Sequence, residues 1–376
     1  MTATPIKVLQ VVPSLNRSAG VARVVYNWHQ FHDEARVHFD YLHHSSRNGV
    51  LMHDARYDEE LKSAGSNVYT VNYASDDFGR FSREMRQIIR DIGSDYDVVH
   101  CHMPNSAFIV LNEAQKNGVE CRILHSHLNS SSDVFLHRLR NIPLNMYGKK
   151  FANDYIACSR AAGKFLFGKK DFTVINNGIL LDDFRYSDCN RDTLRTQLGI
   201  DENDVVIGCV GRFVKQKNYD FAIKLFSAYR ALNRWSKLLI LGDGDERRFL
   251  EELIEEEKLE DSVLLPGVRA DVNQLYSVMD VFLMPSLYEG LPVSAIEAQA
   301  SGLPCIYSDN VPKETDVTGS GTFLPLTAPY EEWVKKIDFY GTQGRLTENI
   351  VLLEERGYSA KANAELLMQH YEAMIR

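Results

Sequence analysis

Residues 284–304 read Met-Pro-Ser-Leu-Tyr-Glu-Gly-Leu-Pro-Val-Ser-Ala-Ile-Glu-Ala-Gln-Ala-Ser-Gly-Leu-Pro. An apolar run at 281–284 precedes a Gly-Leu-Pro turn and then a helical pattern, so the stretch reads as strand, turn and helix. Two carboxylates, Glu289 and Glu297, stand eight positions apart. That is just over two helical turns, so both can project toward one side. Glu289 is expected in the loop and Glu297 two turns into the helix. The first backbone N–H groups, near Gly290 to Ser294, lack intrahelical acceptors and can bind an anion. An anion-binding helix start between two carboxylates suits a nucleotide-sugar. The helix end would hold phosphates, and the carboxylates would accept sugar hydroxyls.

Outward from this block the chain alternates. Strand-like runs at 7–12, 37–42, 67–71, 98–102, 121–125, 155–157 and 173–175 are separated by helical patterns at 21–31, 58–64, 80–92, 107–117, 134–151 and 160–167. The second half repeats the build. Its strands fall at 205–210, 237–241, 263–266, 281–284, 304–308 and 322–324. Helices at 218–232, 246–257, 272–278 and 294–300 lie between them, with two more at 333–340 and 360–376. Such alternation implies α/β domains whose mostly parallel sheets are covered on both faces. The expectation is two doubly wound, Rossmann-like domains facing across a cleft at the carboxyl ends of their strands. Residues 1–182 would form the first, acceptor-binding domain and 183–357 the second, nucleotide-sugar-binding one. A helix within 358–376 would pack back on the first. The linker is expected at 180–192, where periodicity fades and Asp and Asn cluster.

With 376 residues the chain has material for two cores. It is 44% apolar and 25% charged, as globular proteins are. No apolar run approaches the ~18–20 residues that span a bilayer, and no signal peptide is expected ahead of the first strand. The six cysteines, none in a C-x-x-C pair, read as buried free thiols of a reducing compartment. The expected location is therefore cytoplasmic. The net charge of −9 excludes a general nucleic-acid binder. The first 185 residues nevertheless carry +2 (22 Lys/Arg against 20 Asp/Glu), and the remainder −11. The basic excess lies at 138–170, interleaved with Met146, Tyr147, Phe151, Phe165 and Phe167. One reading is an amphipathic helix pair with a solvated basic face. The other is a surface for anionic lipid or a lipid-diphosphate acceptor, which would place the protein peripherally at the inner face of the plasma membrane.

Short motifs now fall in a familiar order: Ser18-Ala19-Gly20, Asp97-Val98-Val99-His100-Cys101-His102, His125-Ser126-His127, Cys158-Ser159 and Ile175-Asn176-Asn177-Gly178-Ile179. Val210-Gly211-Arg212-Phe213-Val214-Lys215-Gln216-Lys217-Asn218, Leu241-Gly242-Asp243-Gly244, Leu265-Pro266-Gly267-Val268-Arg269-Ala270-Asp271-Val272 and the glutamate block follow. Over nearly its whole length the chain resembles the retaining glycosyltransferases of the GT-B fold, family 4, particularly the bacterial enzymes of exopolysaccharide and capsule synthesis.

The resemblance implies residue roles. Arg212 and Lys217 would clamp the donor diphosphate, as a fork and a point charge, and stabilise it as it leaves. Glu297 would take the ribose hydroxyls. Glu289 would hold the donor sugar or the positive charge developing at its anomeric carbon. Backbone N–H groups of Gly290, Leu291 and Val293 would cradle phosphate, while Pro292 has none to offer. Val268 and Arg269 lie where similar proteins hold the base, although Arg269 can instead pair with Asp271. Gly20 would let the first loop approach a substrate closely. His127 or His125 matches the family's active-site histidine, with His127 preferred and Asn129 close by among the substrate contacts. The period-two pairs His100/His102 and His125/His127 make a metal site conceivable. Neighbouring carboxylates are absent, however, and similar enzymes use no metal, so neither metal nor other cofactor is expected.

The activity implied is transfer of a sugar, from a UDP-sugar by preference, to a hydroxyl of a lipid-linked or growing cell-surface saccharide. Two alternatives are a small soluble acceptor and a nucleotide-sugar epimerase of the same fold. A dinucleotide oxidoreductase is disfavoured, because only Gly20 stands where a Gly-x-Gly-x-x-Gly fingerprint would follow the first strand.

Overall fold

The computed structural model describes residues 4–17, 19–47, 50–51, 57–127 and 135–375. The chain forms two compact units, residues 1–178 with 359–376 and residues 179–358.

The first unit holds strands β1 (Ile6–Val12), β2 (Val37–Arg47), β3 (Val50–Leu51), β4 (Val68–Asn72), β5 (Val98–Cys101), β6 (Cys121–Ser126), β7 (Asp154–Ala157) and β8 (Thr173–Val174). Their order is β3-β2-β1-β5-β6-β7-β8, with β4 also paired to β2. All neighbours are parallel except β2 and β3. Side chains alternate between two cores. Val8 and Val12 point into one with Trp28 and Tyr371, while Leu9 and Val11 point into the other with Phe81 and Met85. The first face is closed by helices Gly20–Phe31 and Ala360–Ile375, which pack against each other. Leu367, Met368 and Tyr371 of the latter are buried, each contributing about 1.5–3 kcal/mol of apolar burial. The motif at 175–179 seats this helix. Asn363 donates to the Asn176 carbonyl at 2.9 Å. A Cβ at Gly178 would lie 2.8 Å from the Ala360 nitrogen, so only glycine admits so close an approach. The Cys158-Ser159 motif is a helix start, with Ser159 Oγ accepting from the Ala162 N–H at 3.1 Å.

The second unit holds β9 (Val205–Val210), β10 (Ser236–Leu241), β11 (Val263–Leu264), β12 (Val281–Met284), β13 (Cys305–Ser308) and β14 (Thr322–Leu324). They form an all-parallel sheet ordered β11-β10-β9-β12-β13-β14. Both units are doubly wound, Rossmann-like domains with largely parallel sheets.

Three expectations shift. The chain passes between units at 178/179 and 358/359, a few residues from 182 and 357. Residues 180–192 are not a bare linker, for they hold the turn Leu181–Phe184 and open a helix, Asp188–Leu198. That helix is capped by Ser187 Oγ and stopped by left-handed Gly199. It buries only Leu194 and Arg195, too few positions for an apolar stripe. Third, Cys189 on the same helix is exposed, while the other five cysteines are buried. Burial pushes the Cys101 thiol up to about 12. No described helix is long and apolar enough to cross a membrane.

Candidate active site

In an open parallel sheet, a crevice opens where neighbouring strands send their crossovers to opposite faces. In the second unit that point lies between β9 and β12, and the loops leaving these two strands carry the predicted residues. They are tied together: the Leu287 N–H donates to the Gln216 carbonyl at 2.8 Å, and Asn218 Nδ2 donates to the Pro285 carbonyl at 2.9 Å. Asn218 itself sits in the left-handed region at φ 58° as the chain enters helix Tyr219–Leu232.

Lys217 and Glu289 meet here. Lys217 Nζ lies 2.7 Å from Glu289 Oε1, and both side chains are largely buried. Ser286 Oγ donates to the same oxygen at 2.7 Å, and Gln216 Nε2 reaches Oε2 at 3.3 Å. The lysine stem runs past Gly211 (φ 155°), where a Cβ would come within 2.9 Å of Lys217 Cε. Gly242 (φ 142°) packs behind it, and a Cβ there would fall 1.9 Å from the Gly211 carbonyl oxygen. Arg212 is exposed and has no ion-pair partner among the described residues. Lys215 is also exposed.

The helix after β12 is Val293–Ala300, with Pro292 as its cap and no side-chain cap bond. Glu297 is thus only one turn into it, not two, although the helix begins one residue ahead of the expected 294. The N–H groups of Gly290, Leu291, Val293 and Ser294 find no acceptor among the described residues. Glu297 is buried, and Tyr276 donates its hydroxyl to Oε2 at 2.8 Å. Val268 is 73% exposed, and the Arg269 fork is bidentate to Asp271 at 2.8 and 2.7 Å. This pair holds the arginine's pKa up and the carboxyl's down. Arg269 therefore takes the ion-pair alternative.

In the first unit Gly20 opens helix Gly20–Phe31 without positive φ, and open space lies where a Cβ would stand. His100 and His125 lie on β5 and β6, with His102 and His127 just past the strand ends. Period two stacks each pair on one face, with ring centroids 4.2 and 4.0 Å apart. His125 is fully buried and His127 is 8% exposed. Both nitrogens of His127 are engaged: Nε2 lies 2.7 Å from His102 Nδ1, and Nδ1 lies 3.2 Å from Asn177 Oδ1. Burial holds its pKa down to about 4 and those of the other three well below the usual value. His100, His102 and His125 each bring a nitrogen within 4.8 Å of the others. Hydrogen bonds already take five of their six nitrogens, and among the described residues the group contains no carboxylate. Asn129 lies outside the described residues.

Sequence reasoning missed Gln216, Ser286 and Tyr276. The first two stand beside predicted residues at strand ends, which was the available signal. Tyr276 comes from the turn after the short helix Val272–Leu275 and gave none.

Paired Rossmann-like units with these loops define the GT-B class of glycosyltransferases, and comparison with known proteins agrees. Residues 18–183 match the family model Glycosyltransferase Family 4, and residues 190–350 match Glycosyl transferases group 1. The chain is 32% identical over 382 residues to a Bacillus subtilis (strain 168) protein described as glycosyltransferase EpsF, covering 99% of this chain and 97% of that one. It is 30% identical over 225 residues to the Escherichia coli UDP-Gal:alpha-D-GlcNAc-diphosphoundecaprenol alpha-1,3-galactosyltransferase, covering 57% and 58%. Anabaena HepE, crystallised with UDP-glucose, superposes with a TM-score of 0.76 at 17% identity over 98% of this chain and 100% of that chain. The protein belongs to this glycosyltransferase family and has its GT-B fold.

Proposed function

We propose that the protein is a retaining, metal-independent glycosyltransferase. It moves a sugar from a UDP-sugar to a hydroxyl of a lipid-linked or growing exopolysaccharide chain. The observation that carries the donor reading is the convergence at β9 and β12. Arg212, without an ion-pair partner among the described residues, meets there with the Lys217–Glu289 pair and with N–H groups at 290–294 that find no acceptor among those residues. An incoming diphosphate would find two cations and a helix start. Glu297 would accept ribose hydroxyls, displacing Tyr276 from one oxygen. The base would rest near Val268 and the backbone of Arg269, whose guanidinium is already committed to Asp271. Glu289 would serve the donor sugar, and Gly20, Asn129 and His127 would contact the sugar substrates.

As the anomeric C–O bond to the diphosphate breaks, Arg212 and Lys217 hold the developing charge. The acceptor hydroxyl attacks from the same face and gives its proton to the departing diphosphate oxygen. These two side chains do the electrostatic work that a metal does elsewhere, so no resident cofactor is required. A UDP-sugar donor fits the UDP-glucose complex of HepE and the donor named for the E. coli relative. The latter's diphosphoundecaprenol substrate favours a lipid-linked acceptor over a soluble one. Ile142, Met146, Tyr147 and Phe165 are exposed within the basic region 138–170, which supports contact with the inner face of the membrane. Side chains 135–140, including Arg138 and Arg140, lie outside the described residues.

A thermal-shift panel of UDP, GDP, ADP, CMP and their sugar conjugates, with and without magnesium, tests the donor reading. Stabilisation by uridine nucleotides alone, indifferent to magnesium, is expected. No shift with any nucleotide would overturn it. Anomeric NMR of the product tests retention, and salt-reversible liposome co-sedimentation tests the membrane contact.

A further inference from the structure

Seven side chains of the first unit form one unbroken line of hydrogen-bonding contacts. From Asn177 Oδ1 it runs 3.2 Å to His127 Nδ1, then 2.7 Å from His127 Nε2 to His102 Nδ1, and 2.8 Å from His102 Nε2 to Gln10 Oε1. From Gln10 Nε2 it continues 3.0 Å to the Tyr371 hydroxyl, 2.6 Å on to His100 Nδ1, and 3.0 Å from His100 Nε2 to His125 Nδ1. It ends at His125 Nε2, which is buried and has no partner among the described residues. Gln10 faces His100 across the β1–β5 register, and Tyr371 descends from the last helix.

A neutral imidazole has one N–H and one lone pair. Burial keeps all four rings neutral, so each must donate on one side and accept on the other. Direction therefore propagates along the line, and a half-turn of the Gln10 amide reverses every bond. With the Gln10 oxygen toward His102, His102 donates from Nε2 and accepts at Nδ1, and His127 donates from Nε2. The bare His127 Nδ1 then meets the Asn177 oxygen, acceptor against acceptor. At the other end Tyr371 donates to His100, His100 donates to His125, and the His125 N–H is left with no acceptor. Turning Asn177 as well mends only the first fault.

With the Gln10 amide turned, its N–H donates to His102 Nε2, His102 donates from Nδ1 to His127 Nε2, and His127 donates from Nδ1 to Asn177 Oδ1. Tyr371 donates to Gln10 and accepts from His100 Nδ1, and His125 donates from Nδ1 to His100 Nε2. Every contact is then a hydrogen bond, and the end at His125 is an unused lone pair. Unpaired buried N–H groups are rarer than under-used acceptors, and an unsatisfied buried donor carries the full desolvation penalty of its group.

We propose that Gln10, held by Tyr371, is a positioning residue that locks His127 as its Nδ1–H tautomer, the minor form of a free histidine in water. The proposal rests on the reading of His127 as a residue of the sugar-transfer site. A ring with both nitrogens committed presents a fixed dipole to the substrate and is no proton acceptor, so the acceptor's proton must leave by another route. Nitrogen-15 imidazole NMR of the ligand-free, full-length protein at neutral pH tests the lock. The expected signature is a protonated Nδ1 and a bare Nε2 at His127. A protonated Nε2, or an imidazolium, would overturn the proposal. This readout uses no sugar nucleotide, so it stands or falls apart from the donor reading, and it needs no variant to fold.

Discussion

Replacing Lys217 with methionine keeps the stem beside Gly211 and removes the ammonium, so the electrostatics of the site can be read alone. Glu289 then loses its contact at 2.7 Å. It keeps Ser286 Oγ at 2.7 Å and Gln216 Nε2 at 3.3 Å. Breaking a buried ion pair from one side costs about 3–5 kcal/mol when the remaining charge is stranded. Two donors still serve Glu289, so the loss should be near the bottom of that range or below it, about 2 kcal/mol. The chemical effect should be larger in its own measure. Lys217 is assigned to charge that develops only as the diphosphate leaves, and removing one such donor lowers kcat by about 10²–10³. Urea melts and steady-state turnover with the UDP-sugar found by thermal shift provide the two readouts. Adding Glu289→Gln removes the stranded charge and should recover much of the stability, since contacting residues couple by about 0.5–3 kcal/mol. Turnover should not recover. A folded Lys217→Met enzyme with near-normal kcat would refute the electrostatic role, and an unrecovered double variant would refute the ion pair as the source of the stability loss.

Three further outcomes are expected. Glu297→Gln should weaken uridine nucleotide binding about tenfold or more, as for a hydrogen bond to a charged group. Isothermal titration would reveal it, and unchanged affinity would remove Glu297 from the ribose site. The protein should lose stability on acidification: His127, His29 and His44 are held near pKa 4 by burial, so the unfolded chain, titrating near 6.5, binds more protons below that pH. Their contribution is fully present above pH 6.5 and is lost as pH falls toward 4, so urea midpoints should drop between pH 7 and 5; a flat profile would contradict neutral burial of these rings. Gly242→Ala should cost more than about 3 kcal/mol, because the backbone sits at φ 142° and the new methyl would overlap the Gly211 carbonyl; a soluble variant with an unshifted melting curve would show that the two turns can separate.

The sequence alone determined the alternation of strands and helices, the two wound domains and the residues at the ends of β9 and β12. Buried parallel strands are continuous apolar runs, and glycines mark the tight turns that follow them. Those signals are local, so they survive without coordinates. The helix Asp188–Leu198 escaped notice because only Leu194 and Arg195 face inward. Only the tertiary structure decided that Lys217 is paired with Glu289, that Arg269 is spent on Asp271, and that Gln10 and Tyr371, 361 positions apart, share one hydrogen bond. Strand order makes these partners. β5 lies beside β1 although three strands intervene in the chain, and the last helix returns to the first sheet. Adjacency of that kind is a property of the wound sheet, and no periodicity within any one segment encodes it.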